Sequence, residues 1–471
     1  MEQNKDVIII GAGSAGLAAL REVRKQTDNF LIINAGHYGT TCARVGCMPS
    51  KALIEAANAY HRRHDFAAFA ISGSEQLSID TAAVMRRVRS LRDRFVGGVL
   101  KSTEGLGERS IAGHARFLGP NCISVNGREY SAKRIIIASG SRPIIPEPWQ
   151  AFGDRILTTD TLFEQEELPR RIAVVGMGVI GVEMAQALGR IGLEVTCFGS
   201  NQNLAGLCDP EVATTFAELL GKELPIHTGN RADVSCNGDS LIVTAGDRQV
   251  EVDAVLAALG RRPNVADLGL ETLGIELDSR GMPSYDPHTM RIGNLPVFFA
   301  GDVNGDLPIL HEAADEGHIA GRNSVAATCH FYQRRTPLAI VFSDPNVAVV
   351  GQRYKDLDLE TIIVGSADFR TQGRARTAEK NKGLMRIYAE RDSGKLLGAE
   401  MCVPGAEHMI HLLALAIEHG MSVADLLRLP FYHPVLEEGL RTALRDLSGQ
   451  LPSGHESDLA TFGSFHCEAL D

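Results

Sequence analysis

The sequence predicts an α/β protein with two nucleotide-binding units built on parallel sheets, followed by a C-terminal α+β domain. Two observations predict this fold. A strand–glycine turn–helix pattern occurs twice, and the C-terminal part of the chain shows strands followed by helices. The length of 471 residues is more than one hydrophobic core can organise, so several domains are expected.

The two glycine turns share one layout. An apolar run at residues 7–10 precedes a G-x-G-x-x-G turn at residues 11–16, and a run at 172–175 precedes the same turn at 176–181. A helix-forming run and a second strand follow each turn, at residues 30–33 and 194–198. The three glycines allow a tight turn, approach of the backbone to a pyrophosphate, and close packing of helix on strand. Two copies in this context predict two Rossmann-like dinucleotide-binding units.

The predicted nucleotide contacts follow from these turns. In the first unit they are Gly11, Gly13, Ser14, Ala15, Gly16 and Asn34, and in the second Gly176, Gly178, Val179, Ile180, Gly181 and Gly199. Asn34 and Gly199 stand where a ribose-binding carboxylate usually ends the second strand. Asn34 can still bond a ribose, whereas Gly199 has no side chain. Because the sequence around Gly199 also lacks an arginine for a 2′-phosphate, NAD(H) is favoured over NADP(H).

A pair of cysteines follows the first unit. Cys42 and Cys47 are five residues apart at the start of a helix, where Gly46 helps the chain bring them within disulfide reach. A helix N-terminus and nearby cations lower a thiol pKa and favour the reactive thiolate. Two buried, unreactive cysteines are one alternative, and a zinc site is another, although no further Cys or His stands at ligand spacing. The position directly after a nucleotide-binding unit favours a redox pair, with no metal.

The stretch C-x-x-x-x-C-x-P-S-K at residues 42–51, after a flavin-type glycine turn, resembles the class I pyridine nucleotide–disulfide oxidoreductases. This family includes dihydrolipoyl dehydrogenase, glutathione reductase and mercuric reductase, and the resemblance covers residues 5–448. It implies a glutathione-reductase-like fold, FAD as cofactor, Cys47 as the thiolate next to the flavin, and Cys42 as the residue that exchanges with substrate. It also implies that Lys51 lies near the flavin and pairs with Glu183.

Further flavin contacts are implied by the same resemblance. The strand that ends in Ala138, Ser139 and Gly140 is similar to the A-T-G turn of the family, and Gly301 and Asp302 are similar to its G-D motif. A strand that ends in Gly-Asp is otherwise a common entry into a loop. The helix that opens at Leu310 and His311 is expected to direct its N-terminus at the flavin. Gly260 stands in the return segment Gly-Arg-Arg-Pro-Asn of the second unit.

Near the end of the chain, His433-Pro434 and Glu438 are similar to the H-P-T-x-x-E motif of the family, with Val435 in the threonine position. A histidine beside a proline could equally be a helix-start residue without a catalytic role. Deprotonation of a dithiol near neutral pH nevertheless needs a base such as imidazole, which a carboxylate can orient. The resemblance implies that His433 acts on the partner subunit of a homodimer.

Two departures from family motifs bear on the substrate. Phe431 replaces the first histidine of the H-x-H-P motif of lipoyl enzymes, but His433 remains, and mercuric reductases carry a tyrosine there. A dihydrolipoyl dehydrogenase is the leading prediction, with the lipoyl domain of a carrier protein as a possible partner. A glutathione-type or other disulfide reductase is the alternative, and a catalytically silent flavin-binding subunit is the alternative from another class.

The domain prediction assigns residues 1–147 and 267–335 to FAD, 148–266 to NAD(P), 336–448 to a dimerisation domain, and 449–471 to a C-terminal tail. The formal net charge of −11 disfavours a nucleic-acid partner. No apolar run reaches membrane-spanning length, and residues 7–10 are too few for a signal-peptide core. We therefore expect a cytoplasmic protein that does not associate with a membrane.

Overall fold

The computed structural model describes residues 2–452. Of the predicted C-terminal tail, residues 453–471, which include Cys467, lie outside the described residues. The last helix continues two residues into the segment predicted as tail, because it ends at Gln450. No helix between residues 2 and 452 is both long enough and apolar enough to cross a membrane.

Twelve α-helices occur in the described part of the chain. They are α1 Ser14–Val23, α2 Thr41–Val45, α3 Cys47–His61, α4 Thr81–Glu104, α5 Thr159–Leu162, α6 Val179–Arg190, α7 Pro210–Gly221, α8 Leu310–Val325, α9 Gly373–Thr377, α10 Ala406–Glu418, α11 Val423–Leu427 and α12 Glu438–Gln450.

The strands are short except for the first and sixth. They are β1 Glu2–Ile10, β2 Phe30–Asn34, β3 Ser110–Ala112, β4 Ala115–Gly119, β5 Cys122–Val125, β6 Arg128–Ile137, β7 Ser141–Pro143, β8 Ile156–Leu157, β9 Arg171–Val175, β10 Glu194–Gly199, β11 Ile226–Thr228, β12 Asp233–Asn237, β13 Ser240–Ala245, β14 Arg248–Val252, β15 Ala254–Ala257, β16 Arg261–Pro263, β17 Val297–Phe299, β18 Leu338–Val341, β19 Asn346–Gly351, β20 Ile362–Asp368, β21 Leu384–Glu390 and β22 Leu396–Val403.

The chain forms two compact units. The first comprises the chain up to Leu53 with Asp80–Leu168 and Leu259–Arg334. Its sheet has the order β3-β2-β1-β6-β5-β4, and β17 also pairs with β6. Strand β1 runs parallel to both β2 and β6, as a strand–helix–strand unit requires. Alternate residues of β1 enter two hydrophobic cores, one on each face of the sheet, which explains why this strand reads as a continuous apolar run.

The second unit comprises Ile54–Ile79, Pro169–Ala258 and the chain from Arg335 onward. It contains the parallel strands β11-β10-β9-β15, an antiparallel sheet β12-β13-β14, and a five-stranded antiparallel sheet in the order β18-β19-β22-β21-β20. A core of buried aliphatic residues joins this last sheet to α10, α11 and α12. The C-terminal region is therefore α+β, as the sequence predicts.

The predicted strands of both dinucleotide-binding units lie within β1, β2, β9 and β10. Helices α10 and α12 supply helical parts of the predicted C-terminal α+β domain. Strands β19 and β20, which complete the C-terminal sheet, were not individually predicted. The division into FAD, NAD(P) and dimerisation domains at the predicted boundaries stays a prediction.

Candidate active site

The two predicted redox cysteines lie on consecutive helices of the first unit. Cys42 is in the first turn of α2 and Cys47 is the first residue of α3. Both side chains are in the thiol form, and that of Cys42 is hydrogen-bonded to Cys47. The hydrogen bond to Cys47, together with burial, raises the pKa of Cys42 well above the ordinary thiol value.

The junction between the two helices explains how the cysteines meet. Gly46 ends α2, and the next residue begins α3. A Cβ atom at Gly46 would lie 3.0 Å from the carbonyl oxygen of Thr41 and 3.2 Å from the Cα of Cys42. Since both are backbone atoms, a side chain at this position would push the first turn of α2 away. The absence of a Cβ at Gly46 lets the turn that carries Cys42 pack against the start of α3.

Lys51 lies on α3, one turn after Cys47. Its positive charge acts on the cysteine pair, because it lowers the pKa of Cys42 against the larger opposing effects of the Cys47 hydrogen bond and burial. Ser50 is buried beside it and donates a hydrogen bond from its hydroxyl to the carbonyl oxygen of Cys47 at 3.0 Å.

The first glycine turn has the geometry that a dinucleotide needs. Gly11 has a φ of +111°, and a Cβ there would lie 2.1 Å from the carbonyl oxygen of Ala138 on the neighbouring strand. A Cβ at Gly16 would lie 1.9 Å from the carbonyl oxygen of Gly11, so α1 can pack on the turn only with glycine. Nothing lies within 4 Å of the Cβ position of Gly13, and no described side chain caps α1 there. The free amides at this helix N-terminus fit a phosphate group.

Asn34, at the end of β2, is partly engaged by the protein itself. Its Oδ1 accepts a hydrogen bond from the amide of Ala12 in the glycine turn at 3.1 Å, and its Nδ2 donates to the carbonyl oxygen of Gly36 at 2.7 Å. The side chain therefore ties the end of the second strand to the nucleotide turn. The amide has further capacity, one Nδ2 proton and one Oδ1 lone pair, for a ribose hydroxyl.

The predicted turn after β6 is fastened to the return segment that follows Gly260. The Ser139 hydroxyl donates to the carbonyl oxygen of Asn264 at 2.8 Å, and the Asn264 amide donates back to the carbonyl oxygen of Ser139 at 3.0 Å. The backbone amide of Asn264 also bonds the carbonyl of Gly140 at 2.9 Å. Strands β7 and β16 pair in antiparallel fashion directly beyond these bonds. This interlock holds the turn of residues 138–140 in place.

Gly301 and Asp302 form a turn after β17 that a buried carboxylate holds. Glu316 of α8 accepts hydrogen bonds from the amide of Gly301 at 2.6 Å and from the Asn304 side chain at 2.7 Å. Burial raises the pKa of Glu316, although Arg334 bonds its other oxygen at 3.0 Å. The Asp302 side chain accepts a hydrogen bond from the Ser141 hydroxyl at 3.0 Å. The predicted G-D motif is thus fixed through both backbone and side chain.

Helix α8 packs tightly on α1 and has a free N-terminus. A Cβ at Gly317 would lie 2.2 Å from the carbonyl oxygen of Ala15, so the two helices cross at a glycine. The cap position Ile309 provides no side-chain hydrogen bond, and the first-turn residues Leu310 and His311 are exposed. The N-terminus of α8 can therefore stabilise negative charge on a bound group.

The second glycine turn repeats the first. Gly176 has a φ of +100°, a Cβ at Gly181 would lie 1.7 Å from the Gly176 carbonyl oxygen, and the Cβ position of Gly178 is open. No described side chain caps α6, which begins at Val179 and Ile180. This backbone, too, fits a dinucleotide phosphate. At Gly199 a Cβ would make only ordinary contacts of 3.4 Å, so the missing side chain is not a packing requirement.

One face of α6 is bound to the segment that follows β18. Glu183 is buried and accepts a hydrogen bond from the amide of Phe342 at 2.9 Å. One turn later, Gln186 exchanges two hydrogen bonds with the backbone of Asp344, at 2.8 and 3.0 Å. A further turn along, Arg190 bonds the Asp344 carboxylate at 3.1 Å. Glu183 is therefore the first of three side chains on this face of α6 that bind the segment after β18. Its predicted pairing with Lys51 stays a proposal.

Arg190 binds further residues within the second unit. Its guanidinium is almost fully buried, forms two hydrogen bonds of 2.8 Å with the Glu223 carboxylate, and donates to Asn58 near the end of α3 at 2.6 Å. This network was not predicted. The pattern Gln186-x-x-x-Arg190 on a helix gives no signal by itself, because its partners come from distant parts of the chain.

His433 and Glu438 lie together at the start of α12. The Nδ1 atom of His433 is 3.0 and 3.2 Å from the two carboxylate oxygens of Glu438, which also accepts the amide of Val435 at 3.2 Å. These hydrogen bonds, with that of His433 first, hold the pKa of Glu438 below its ordinary value. The His433 side chain is 81% exposed, so its other nitrogen, Nε2, can receive a proton.

Each cluster predicted within one unit is brought together by the structure: the cysteine pair, the two glycine turns and the His433–Glu438 pair. Two Rossmann-type turns and a thiol pair at the start of a helix define a flavin- and nicotinamide-linked dithiol–disulfide oxidoreductase. Residues 5–317 match the family described as pyridine nucleotide-disulphide oxidoreductase, and residues 338–444 match the dimerisation domain of that family. The chain belongs to the pyridine nucleotide–disulfide oxidoreductase family.

Similar proteins span nearly the whole chain. A dihydrolipoyl dehydrogenase of Thermus scotoductus is 31% identical over 456 residues, which cover 94% of this chain and 98% of the relative. The mitochondrial dihydrolipoyl dehydrogenase of Sus scrofa is 31% identical over 93% of this chain and 89% of the relative. Among solved structures, LpdA from Mycobacterium tuberculosis has 26% identity and a TM-score of 0.82, covering 94% of this chain and 99% of that one.

The flavoprotein disulfide reductase RclA from Escherichia coli also has a TM-score of 0.82, with 22% identity, and covers 94% of this chain and 99% of that one. At this identity the likeness concerns the fold. The family makes this protein an FAD-dependent disulfide oxidoreductase that uses a pyridine nucleotide, and its dimerisation domain supports a homodimer. The uncapped helix N-termini and open glycine turns fit both dinucleotides.

Proposed function

We propose that the protein is a dihydrolipoyl dehydrogenase, which oxidises a dihydrolipoyl group and passes the electrons through FAD to NAD⁺. The observation that carries this proposal is the hydrogen-bonded Cys42–Cys47 pair, which follows the first dinucleotide-binding unit along the chain. The names of the relatives with 31% identity support the substrate. The lipoyl group can be presented by the lipoyl domain of a carrier protein.

The reaction begins with the Cys42–Cys47 disulfide. His433 accepts a proton on Nε2 from one substrate thiol while Glu438 holds Nδ1. The substrate thiolate attacks the Sγ atom of Cys42, so a mixed disulfide forms, the Cys42–Cys47 bond breaks, and Cys47 leaves as a thiolate. The second substrate thiol then attacks the first substrate sulfur and gives its proton to the departing Cys42 sulfur, which closes the substrate disulfide. The first proton stays on His433 and balances the negative charge of the Cys47 thiolate.

FAD, when bound, would supply the two-electron acceptor for the dithiol and the hydride donor for NAD⁺. The residues that would hold FAD are those of the first glycine turn, Asn34, the turn of residues 138–140, and Asp302. The residues that would hold the nicotinamide nucleotide are those of the second glycine turn and Gly199. Lys51 would stabilise negative charge near the cysteines, since its charge already lowers the pKa of Cys42.

The raised pKa of Cys42 supports the proposed division of roles between the cysteines. The hydrogen bond with Cys47 and burial both favour the protonated form of the Cys42 thiol. Cys47 would face the flavin as a thiolate, and Cys42 would exchange with substrate as the protonated partner.

A second candidate is the reduction of a different disulfide by NAD(P)H. The observation that favours it is Phe431, which stands where lipoyl enzymes have a histidine and packs against the C-terminal hydrophobic core. NADH is proposed as the coenzyme in either direction, because no arginine follows Gly199 to hold a 2′-phosphate.

The test is oxidation of dihydrolipoamide by NAD⁺ with the purified FAD-loaded protein, followed as NADH formation. Turnover is expected in the parent protein and in Cys122→Ser, a matched control on β5, and is expected to be lost in Cys42→Ser. Failure to oxidise dihydrolipoamide, together with NADH-dependent reduction of another low-molecular-weight disulfide, would replace the first candidate by the second.

A further inference from the structure

A chain of three side chains leads from β16 to the Gly-Asp turn. Arg261, the first residue of β16, donates a hydrogen bond from Nε to the Ser141 hydroxyl at 2.8 Å. Ser141, the first residue of β7, donates from that hydroxyl to Oδ2 of Asp302 at 3.0 Å. All three residues belong to the first unit.

The direction of this chain is fixed by the hydrogen-bonding capacity of each group. A guanidinium can only donate, and a carboxylate can only accept. The hydroxyl of Ser141 must therefore accept from Arg261 and turn its single proton toward Asp302. Arg261 also donates from Nη2 to the backbone carbonyl of Ser141 at 2.7 Å, so it holds both the backbone and the hydroxyl of the serine.

Burial makes the arrangement specific. The Ser141 side chain is buried and Arg261 is half-buried, so water competes little for these hydrogen bonds. Neighbouring Arg262, on the same strand, is exposed. The backbone of the turn is fixed separately by Glu316, which accepts the amide of Gly301. The Arg261 chain is thus left to orient the side chain of Asp302.

We propose that Arg261 is a positioning residue for FAD, which orients the carboxylate of Asp302 through the Ser141 hydroxyl. The inference rests on the proposed contact of Asp302 with FAD. Without the hydrogen bond from Ser141, the Asp302 side chain is free to adopt other rotamers. Binding of FAD must then also pay the entropy cost of fixing this side chain in one rotamer. Arg261 does not need to contact the cofactor, because it acts on the Asp302 carboxylate through the Ser141 hydroxyl.

The test measures the rate of FAD release from the holoprotein, by the recovery of flavin fluorescence after dilution into flavin-free buffer. Arg261→Met and Ser141→Ala are each expected to increase this rate at least tenfold, the effect of losing a hydrogen bond to a charged group, about 1.5 kcal/mol or more. The double variant is expected to be no faster than the faster single variant, because both substitutions break the same chain. Arg262→Met is the matched control and is expected to release FAD at the parent rate.

Asp302→Asn separates a positioning role from a merely structural one. In that background Arg261→Met is expected to change the release rate less than about twofold, because the acceptor of the chain has been altered. Equal effects of Arg261→Met with and without Asp302→Asn, or no effect of Ser141→Ala, would overturn the positioning role while leaving the FAD contact intact. If Asp302→Asn alone does not accelerate release, the proposed FAD contact is itself wrong. Ser141→Ala removes one oxygen atom and decides the matter even if Arg261→Met fails to fold.

Discussion

Individual residues in this site act through hydrogen bonds that set charge and orientation. Cys42 is the clearest case, because its hydrogen bond with Cys47, together with burial, raises the pKa of its thiol. The predicted role of Cys47 as the thiolate next to the flavin rests on the resemblance to family motifs and stays a prediction. A protonated Cys42 is consistent with that prediction.

Replacing Cys47 by serine should abolish the long-wavelength absorbance of a thiolate–flavin complex while FAD stays bound. A serine hydroxyl does not ionise near neutral pH, so no thiolate remains next to the flavin. The measurement is a visible spectrum of the oxidised variant, with Cys42→Ser as the matched control that should keep the band. A band present in Cys47→Ser and absent in Cys42→Ser would reverse the two roles.

Glu438 is expected to remain ionised well into the acid range, because the hydrogen bond with His433 lowers its pKa. The contribution of this carboxylate to the free energy of unfolding is present above the ordinary carboxyl pKa, and it is lost only as the pH falls through the lowered pKa. Glu438→Gln should therefore slow dithiol oxidation at neutral pH, but less than His433→Gln, since it orients the imidazole without transferring the proton. Steady-state rates of both variants at pH 7 give the comparison, and equal losses would contradict it.

Gly199 offers a position where coenzyme selectivity can be built. A Cβ there would meet Asn201 and Met177 at 3.4 Å, an ordinary contact distance, so a side chain can begin at this position without displacing a neighbour. Gly199→Glu should lower the KM for NADH by about tenfold, because a carboxylate that accepts from ribose hydroxyls contributes roughly 1.5 kcal/mol or more. The KM for NADPH should rise through repulsion of the 2′-phosphate. Gly199→Gln is the uncharged control, and an unchanged NADH/NADPH ratio in Gly199→Glu would show that the ribose does not lie here.

At the scale of elements, the predictable parts are those that local sequence determines. The strand–turn–helix units follow from apolar runs and glycines whose close contacts lie within a few residues, such as Gly16 over Gly11. The cysteine pair was predicted at the start of a single helix, whereas the structure divides this segment into α2 and α3 at Gly46. Strands β19 and β20 were not singled out, because their apolar runs alone do not identify a strand or its place in the sheet, even though β19 pairs with its neighbour β18. The Arg190 and Arg261 networks were missed for the same reason, since each depends on tertiary contacts.

The α2–α3 junction tests whether helix geometry controls the redox pair. An alanine at Gly46 would place its Cβ 3.0 Å from the Thr41 carbonyl oxygen, and the first turn of α2 would have to shift. We expect Gly46→Ala to strain the Cys42–Cys47 disulfide and raise its reduction potential by about 30 mV, which corresponds to ~1.4 kcal/mol. Equilibration in dithiol buffers measures this potential. Gly97→Ala in α4, where the Cβ position is open, is the control and should leave it unchanged.

At the scale of the whole molecule, we propose that assembly of two subunits completes each active site. The dimerisation domain of the family covers residues 338–444, and this range contains both His433 and Glu438. The imidazole of His433 is 81% exposed in a single protomer and is already oriented by Glu438. An oriented but exposed base of this kind is suited to act on a group supplied by another subunit.

Mixing two inactive variants tests that idea directly. His433→Gln should reduce dithiol oxidation by about 10²–10⁴-fold, the usual contribution of general acid–base catalysis, and Cys42→Ser should abolish it. If His433 serves the cysteines of the partner subunit, a heterodimer of the two variants has one complete site and one site that lacks both groups. After subunit exchange, demonstrated with differently tagged chains, each heterodimer should regain up to half the activity of the parent dimer. Heterodimers that form without any recovery would mean that His433 acts on the cysteines of its own chain or is not the base. Recovery would show that a working site takes its cysteines from one subunit and its His433 from the other, because neither variant chain carries both.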